Sequence, residues 1–516
     1  MRNRTAVILL SLILGFAAWG QAAPKPADVP YSLDLQAFTI PGLPGLHSFA
    51  IAGDAGTLVL LAGRTNGLHG FAPSREAAQF PSFPPESAND TVYVADLPHR
   101  KLLGKASVTN LPSPYVNQLQ ASNVEYFLSG GFLYIVGGYG LDPKNSAMVT
   151  LPFVTAIDFD ALVTAVTAGG ALDATFAQAH MASFQHPALA ITGGDLVAQG
   201  SSVLLIYGHQ YDGQYTQGGG PAFQEYSNSV RVFTMTASKS ASGVALSVSF
   251  QGSVPQIVGG MDPENPYHRR DLTTKPALDP SGNPRIAAYG GVFKGGRMEG
   301  YVHPIYITPG STFGISVAED TAATQLLSQY DGAALQAWSK AKGAVYSTFF
   351  GGISQFYWDA SCGCLKHDPD SVASTGRDGL PFISSISTFR VTAAGSAQFL
   401  HQKAAFPPPG KAPVCQGTNG AVTAQFLGAE TKLVPAPGGA WSNGVLQLDG
   451  LKKKTVVGYL VGGIAAWCPP GGANASRCYA SSQGASCASN QIYQVTLDPG
   501  KPAPTVLLKE PAAPAN

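Results

Sequence analysis

Residues 132–138 read FLYIVGG, an apolar run that ends in two glycines. The run is short and rich in β-branched and aromatic residues, so it predicts a buried β-strand that stops at a tight glycine turn. The same pattern recurs along the chain, which indicates a fold built from repeated units. The five other copies are 58–63 (LVLLAG), 203–208 (VLLIYG), 286–291 (IAAYGG), 345–352 (VYSTFFGG) and 456–463 (VVGYLVGG).

A second type of strand follows each glycine run after a loop of variable length. These strands have an aromatic or aliphatic core with small polar neighbours, and three of them follow closely on Asn89, Asn228 or Asn490. The six segments are 91–96 (TVYVAD), 154–160 (VTAIDFD), 229–235 (SVRVFTM), 303–307 (HPIYI), 386–391 (ISTFRV) and 491–497 (QIYQVTL).

This order of strand, glycine stop, loop and second strand resembles the kelch repeat. The resemblance implies that each repeat forms one four-stranded blade of a β-propeller. Four copies keep the double glycine, whereas two depart from it with Ala62-Gly63-Arg64 and Tyr207-Gly208-His209. We interpret His209 as standing in place of a second glycine, so that its side chain projects where the other repeats have none.

We therefore predict an all-β fold, a six-bladed kelch-type β-propeller in one domain over 23–516. A pair of β-sandwiches with glycine-rich hairpins is the alternative, but the regular order of strand types and the lack of a long periodic helix favour the propeller. Either 31–40 or 505–509 could supply the outer strand that closes the ring. The predicted blades cover roughly 46–108, 125–187, 188–254, 268–320, 331–403 and 428–510.

The first 22 residues have the pattern of an export signal. Arg2 and Arg4 precede the apolar stretch 6–19, and small residues precede a cleavage site after Ala22. No later stretch is long and apolar enough to predict a membrane span. The formal net charge is zero and 12% of residues are charged, which argues against a nucleic-acid partner. We expect a secreted or periplasmic monomer.

The cysteines fall in the elongated connections, and an even number in an exported chain predicts disulfides. Cys362 and Cys364 are separated by one residue, so we expect each to pair with a different partner. A metal site at this pair with His367 is the alternative, but its spacing is unlike that of zinc sites, and we predict no metal or cofactor. The predicted disulfide residues are Cys362, Cys364, Cys415, Cys468, Cys478 and Cys487.

The long connections 64–90, 353–382, 404–428 and 464–490 all fall on one face of the predicted propeller, which we expect to be the binding face. Arginine guanidinium groups near the channel mouth could clamp a carboxylate or an acidic sugar. The alternative role for them is an Arg–Asp lock between neighbouring blades. The candidate ligand-binding residues are Arg64, His209, Gln210, His268, Arg269, Arg270, Asp271, Arg297, Glu299 and Trp358.

These features predict a non-catalytic module that binds a glycan or a protein partner on its loop-rich face. The alternative is a sugar epimerase or mutarotase that acts on an acidic small molecule at the channel mouth. The architecture is similar to that of the exported sialic-acid mutarotases, a resemblance that implies acidic and arginine side chains on the propeller face, but no motif of that family aligns here and no catalytic residue is assigned. Galactose oxidases also contain a kelch propeller, yet the copper ligand spacing they need is missing.

Overall fold

The computed structural model describes residues 28–70, 82–144, 147–216, 223–255, 264–296, 299–367, 380–417, 420–468 and 485–511. The predicted export signal at 1–22 lies outside them. Within these ranges the chain is an all-β propeller of radially arranged sheets. No helix in the described ranges has the length and apolar character needed to cross a membrane.

Six sheets of four or more strands follow one another along the described chain, five with four strands and one with seven. Strand β1 (Ser32–Phe38) comes first. The next strands are β2 (Ala50–Asp54), β3 (Thr57–Leu61), β4 (Thr91–Asp96), β5 (Lys101–Ser107), β6 (Glu125–Ser129), β7 (Phe132–Val136), β8 (Tyr139–Leu141), β9 (Met148–Thr150), β10 (Phe153–Asp158), β11 (Met181–Gln185), β12 (Asp195–Gln199), β13 (Ser202–Ile206), β14 (His209–Asp212), β15 (Phe223–Tyr226), β16 (Val230–Ser240), β17 (Gly243–Val254), β18 (Arg270–Leu278) and β19 (Pro284–Val292).

The second half of the described chain is also made of strands. These are β20 (Ile305–Thr312), β21 (Ile315–Glu319), β22 (Ala334–Ser339), β23 (Ala344–Phe350), β24 (Phe356–Asp359), β25 (Cys364–His367), β26 (Ser385–Thr392), β27 (Gly395–Ala405), β28 (Val414–Gly417), β29 (Gly420–Thr423), β30 (Lys432–Pro435), β31 (Trp441–Ser442), β32 (Val445–Gln447), β33 (Thr455–Val461), β34 (Ile464–Ala466), β35 (Ser486–Ala488), β36 (Ile492–Asp498) and β37 (Thr505–Leu507). The helices are α1 (Tyr115–Leu119), α2 (Phe159–Thr167) and α3 (Ala174–His180), with 3₁₀ turns at Pro85–Ser87, Pro187–Leu189, Lys294–Gly296 and Leu448–Gly450.

The innermost strand of each sheet lies next to the propeller axis. The four-stranded sheets have the orders β2-β3-β4-β5, β6-β7-β10-β11, β12-β13-β16-β17, β18-β19-β20-β21 and β30-β33-β36-β1, and the seven-stranded sheet contains β22-β23-β26-β27. Their first strands contact one another around the axis, as β2 does with β6, β6 with β12, β12 with β18, β18 with β22, and β30 with β2. The start of every inner strand is therefore placed at the same end of the axis.

The N-terminal strand closes the ring of sheets. Strand β1 pairs antiparallel with β36 from Ser32 opposite Asp498 to Phe38 opposite Ile492, and so becomes the outer strand of the last sheet. Of the two segments that could have closed the ring, 31–40 therefore does so. Strand β37 instead pairs with β27 at the edge of the seven-stranded sheet.

The predicted glycine runs and the strands after them are confirmed as the second and third strands of their sheets. Glycine is required at the turn, because Gly138 has φ 91° and a Cβ there would lie 2.4 Å from Val124 Cγ1. Tyr207 (φ 55°) occupies the first position of its turn and Gly208 (φ 76°) the second. The prediction that His209 replaces a second glycine is therefore wrong, since it is the residue after the pair.

Helices α2 and α3 fill a connection in which the sequence predicted only strand. The strand expected to reach residue 160 ends at Asp158, whose carboxylate accepts a hydrogen bond from Ala161 N at 3.2 Å and caps α2. Leu162 and Val166 of α2 are buried between the first two sheets. Asp173 caps α3 in the same way.

The disulfides differ in part from the prediction. Cys362 and Cys364 pair with each other, with Cα atoms 5.3 Å apart, so the expectation that each reaches a different partner is wrong. Gly363 (φ 61°) reverses the chain between them and brings the two side chains to the same side. Cys415 pairs with Cys487 across 72 residues and joins the β28–β29 and β34–β35 hairpins. Cys468 is also disulfide-bonded, and Cys478 lies outside the described residues.

Candidate functional site

Six residues with a left-handed backbone conformation surround one end of the axis. Each inner strand contributes one of them, close to its start. We call these six residues the axial ring. Asn and Asp adopt a positive φ more readily than other non-glycine residues, which agrees with their presence at three of the six positions. The axial ring comprises Ser48 (φ 53°), Asn123 (φ 50°), Gly193 (φ 66°), Asp271 (φ 52°), Asp331 (φ 47°) and Glu430 (φ 57°).

Backbone hydrogen bonds join members of the axial ring in pairs. The contacts are Asn123 N to Ser48 O at 3.0 Å, Asp271 N to Gly193 O at 2.7 Å, and Glu430 N to Asp331 O. Between the last and first sheets, Ser48 Oγ donates to Glu430 Oε2 at 2.5 Å, and His47 Nδ1 lies 3.1 Å from the same oxygen. The ring is thus held by contacts between neighbouring sheets, and it gathers three carboxyl groups at the axis.

A second ring is formed by the residue after each glycine turn. Each of these residues lies opposite the residue that precedes an axial-ring member, as Tyr139 does with Ser122 and His209 with Thr192. These residues therefore form a rim above the axial ring, and we call them the rim positions. They are Arg64, Tyr139, His209, Val292, Ile353 and Ile464.

The two rings enclose a cavity of about 160 Å³ on the propeller axis. Its carboxyl groups lie at the axial ring, and its walls are aromatic and aliphatic side chains together with Arg270 and His209. The described residues that line it are Leu68, His69, Phe83, Ser122, Asn123, Tyr139, Thr192, Gly193, His209, Tyr211, Tyr215, Arg270, Asp271, Val292, Phe293, Tyr330, Asp331, Ile353, Leu380, Phe382, Ala429, Glu430 and Ile464.

One wall of the cavity is a continuous cluster of five rings. His69 stacks on Phe83 at 5.3 Å and meets Tyr215 edge-on at 4.6 Å between ring centroids. Tyr139 contacts Phe83 at 4.9 Å and Tyr211 at 5.9 Å, and Tyr211 in turn lies 5.2 Å from Tyr215. Burial lowers the pKa of His69 to about 4, so this wall is uncharged at neutral pH.

Arg270 is the principal cationic side chain of the cavity. Its Nη1 lies 3.0 Å from His209 Nε2, and its Nη2 donates to Tyr215 Oη at 2.7 Å. Its Nε is 3.6 Å from Asp271 Oδ2 and has no hydrogen-bond partner among the described residues. The side chain is 9% exposed. The guanidinium group is therefore held by His209 and Tyr215 and keeps an unsatisfied donor inside a buried site.

His209 serves as an acceptor for Arg270. Burial and the neighbouring charge of Arg270 hold the pKa of His209 well below its ordinary value, so the ring is neutral. Because Nε2 accepts from Arg270, the proton lies on Nδ1, 2.8 Å from the side-chain amide of Gln224. The structure places Gln224 Nε2 nearest to Nδ1, so this amide must be flipped for its oxygen to accept the proton.

The pKa values of the three carboxyl groups of the axial ring are shifted in different directions. Burial alone would raise the pKa of Glu430, but the charge of His47 and the hydrogen bonds from His47 and Ser48 outweigh it and lower the pKa to about 2. Burial and the adjacent negative charge of Glu430 raise the pKa of Asp331 well above its usual value. Burial also raises the pKa of Asp271, against the opposing effect of Arg270. The surroundings therefore favour the ionised form of Glu430 and the protonated form of Asp331.

Three of the sequence candidates meet at this cavity: His209, Arg270 and Asp271. Two of them, Arg270 and Asp271, are adjacent in the chain and lie at the start of β18, as their position in the sequence predicted. The Asp271 side chain is 24% exposed and thus accessible from the cavity.

Arg269 and His268 have structural partners outside the cavity lining. Arg269 is 0% exposed, donates to the carbonyl oxygens of Gly290 and His303 at 3.0 and 2.9 Å, and pairs with Glu319 at 2.9 Å. His268 stacks on Tyr226 with ring centroids 3.7 Å apart. Arg269 therefore has structural contacts, but its carboxylate partner is Glu319 of the same sheet and not an aspartate of a neighbouring blade, as the lock alternative predicted.

The remaining candidates do not line the cavity. Arg64 donates to Pro84 O at 2.7 Å and stacks over Phe83, so it positions an aromatic ring of the wall. Gln210 donates to Asp212 Oδ2 at 3.0 Å, and Trp358, a residue of β24, packs against an apolar cluster. Glu299 follows the turn after β19, where its carbonyl oxygen accepts from Lys294 N, and Arg297 lies outside the described residues.

Most residues of the cavity lining were not among the sequence candidates. Asp331 and Glu430 lie close to the start of an inner strand, as Asp271 does, but their spacing from the glycine turn differs between repeats, so the sequence pattern alone does not identify them. His69, Phe83 and Tyr215 lie in long connections with no repeat pattern, and only the folded chain places them together.

The order and closure of the sheets define the class of the fold, an all-β propeller. No family model matches the chain, and no curated protein matches it. Among solved structures, one titled "Structure of YjhT" aligns with 89% of this chain and 99% of that chain, at 10% sequence identity and a TM-score of 0.41.

Proposed function

We propose that the chain is an exported, six-bladed kelch-like propeller that binds a glycan, with one sugar ring held in the axial cavity. The observation that carries this proposal is the combination of Arg270, Asp271 and Glu430 with an aromatic wall in one buried cavity. A polyhydroxylated ring needs both donors and acceptors for its hydroxyl groups, and its apolar C–H face suits an aromatic surface.

The size of the cavity agrees with a single ring. A dry cavity of about 150 Å³ holds benzene, and the axial cavity measures about 160 Å³. A longer glycan therefore places one unit in the cavity and extends over the loop hairpins. The protein-partner alternative, a partner bound on the loop-rich face, stays a prediction.

The other parts of the proposal rest on the fold. The seven-stranded sheet contains four consecutive antiparallel strands, β22-β23-β26-β27, which we take as the sixth blade. Disulfides are typical of exported proteins, which supports an extracellular or periplasmic location. We propose a monomer, since the ring closes within one chain.

Calorimetric titration of the chain without its first 22 residues, with D-glucose and with D-glucuronate, tests the proposal. The proposal is supported if either sugar binds to the unmodified chain but not to Arg270→Gln. Tighter binding of glucuronate than of glucose assigns the sugar carboxylate to Arg270. Arg100→Gln is the matched control, because Arg100 is exposed and distant from the cavity lining. Unchanged binding in Arg270→Gln, or binding of neither sugar, contradicts the proposal.

A second candidate function is a sugar mutarotase, and the carboxyl pair favours it. Asp331, whose raised pKa favours the protonated form, would donate to a ring oxygen while Glu430, whose lowered pKa favours the ionised form, accepts the proton of the anomeric hydroxyl group, which opens a hemiacetal ring. Exchange spectroscopy of the two anomers of glucuronate tests this activity. The mutarotase activity is supported if the chain makes the two anomers interconvert faster than in buffer alone and Asp331→Asn does not. Interconversion at the uncatalysed rate in the presence of the unmodified chain contradicts it.

A further inference from the structure

The Cys362–Cys364 disulfide lies at the exposed tip of the β24–β25 hairpin. Cys362 and Gly363 are exposed and Cys364 is half-buried. A Cβ built on Gly363 would have no neighbour within 4 Å, so the space around the turn is open. An external thiol can therefore approach the sulfur of Cys362 without displacing another part of the described chain.

This bond does not hold separate parts of the fold together. Four backbone pairs, from Phe356 opposite His367 to Asp359 opposite Cys364, already fix the hairpin register. The bond links residues two positions apart, so it removes little freedom from the unfolded chain. Cys415–Cys487 is the contrast, because it spans 72 residues and Cys415 is 2% exposed.

The surroundings of the exposed bond can accommodate its reduced form. Cys362 Sγ lies 3.5 Å from the carbonyl oxygen of Asp359, which can accept a thiol proton after reduction. The carboxylate of Asp359 is paired with Lys366 Nζ at 2.5 Å, so its charge does not oppose a nearby thiolate. Reduction therefore leaves the hairpin with its own hydrogen bonds.

We infer that the Cys362–Cys364 bond is a thiol–disulfide exchange site, which oxidises an external dithiol. One thiolate of the dithiol attacks Sγ of Cys362, the Cys362–Cys364 bond breaks, and Cys364 leaves as a thiolate. The second thiolate of the dithiol then attacks the dithiol sulfur of the mixed disulfide, the bond to Cys362 breaks, and Cys362 leaves as a thiolate. The dithiol becomes a disulfide, the protein gains two electrons, and both cysteines take up protons to become thiols.

Limited reduction of the folded chain with dithiothreitol tests this inference. Free thiols are alkylated at timed intervals and located by mass spectrometry of peptides, while circular dichroism follows the fold. We expect Cys362 and Cys364 to be alkylated at least about tenfold faster than Cys415 and Cys487, with the spectrum unchanged. Equal rates for the two pairs, or alkylation of Cys362 and Cys364 only as the spectrum collapses, would overturn the inference.

A double variant provides the second measurement. Cys362→Ser with Cys364→Ser removes the exchange site but leaves the hairpin pairs, so we expect it to fold and to lose the rapid oxidation of one equivalent of dithiothreitol. Oxidation by this variant at the rate of the unmodified chain would assign the activity to another bond and contradict the inference.

Discussion

Nη1 of Arg270 lies 3.0 Å from Nε2 of His209, so an arginine of the axial cavity donates to a neutral histidine. A protonated imidazole would have no lone pair for this contact and would repel the guanidinium group. The low pKa of His209 is thus part of how the cavity keeps Arg270 in place. Tyr215 holds the other end of the same group at 2.7 Å.

Tyr215→Phe tests the positioning of Arg270. The substitution keeps the aromatic ring of the wall and removes one hydrogen bond to a charged group, which contributes about 1.5–3 kcal/mol. We expect sugar affinity to fall at least about tenfold with little change in melting temperature. Tyr357→Phe is the control, since Tyr357 is also buried but lies beside β25 outside the cavity lining. Equal effects of the two variants on affinity would contradict this role.

Substitution of the two adjacent arginines should affect different properties, stability for Arg269 and ligand binding for Arg270. Arg269→Gln leaves Glu319 and two carbonyl oxygens without their buried partner, and we expect a loss on the order of 3 kcal/mol in the free energy of unfolding. Arg270→Gln should cost much less stability but abolish ligand binding. Chemical denaturation of both variants checks the prediction, which fails if Arg270→Gln is the less stable protein.

His401 provides a pH test that is independent of the cavity. Burial lowers its pKa to about 4, so the folded chain keeps the ring neutral while the unfolded chain binds a proton below its ordinary pKa of about 6.5. The contribution of His401 to the free energy of unfolding is therefore fully present above pH 6.5. It falls by on the order of 3 kcal/mol as the pH decreases toward 4. Denaturation curves of His401→Gln should show a smaller loss between these pH values. An identical pH dependence in both proteins would contradict the burial argument.

Removal of the two disulfides should have unequal effects on stability. In the chain-entropy treatment a loop of 72 residues corresponds to about 4 kcal/mol, so Cys415→Ala with Cys487→Ala should lose stability of that order. In the same treatment the short loop closed by Cys362 and Cys364 corresponds to only about 1–2 kcal/mol, so the double alanine variant of this pair should lose much less stability. Equilibrium denaturation measures both, and similar losses would show that the exposed bond also supports the fold.

The strand pattern was predictable from sequence because it depends on local chemistry. Short runs of β-branched and aromatic residues that end in glycine identify the second strand of every sheet, and the alternation of 31–40 identifies one of two possible closing strands. The choice between them depends on pairing with β36, which local sequence does not specify. The register error at His209 has a simple cause: Tyr207 takes a left-handed conformation that sequence rules reserve for glycine.

The site was less predictable than the fold because its residues come from every sheet. Asp271 was found through its arginine neighbours, but Asp331 and Glu430 follow Tyr330 and Ala429 and carry no local motif. The distance in sequence from these residues to the glycine turn also fails to identify them. The axial-ring residues of the first three repeats precede the second glycine of the turn by a constant interval, whereas those of the last three lie farther away and at different distances. Only the closure of the ring shows that the six positions are equivalent.

A crystal structure of the chain soaked with the sugar that binds more tightly, D-glucose or D-glucuronate, tests the central claim most directly. The proposal predicts one sugar ring in the axial cavity, packed against Tyr215 and Phe83, with its polar groups on Arg270 and on the carboxylates of Asp271 and Glu430. A sugar bound only on the loop hairpins, with the cavity unchanged, would contradict the claim that the axial ring is the binding site.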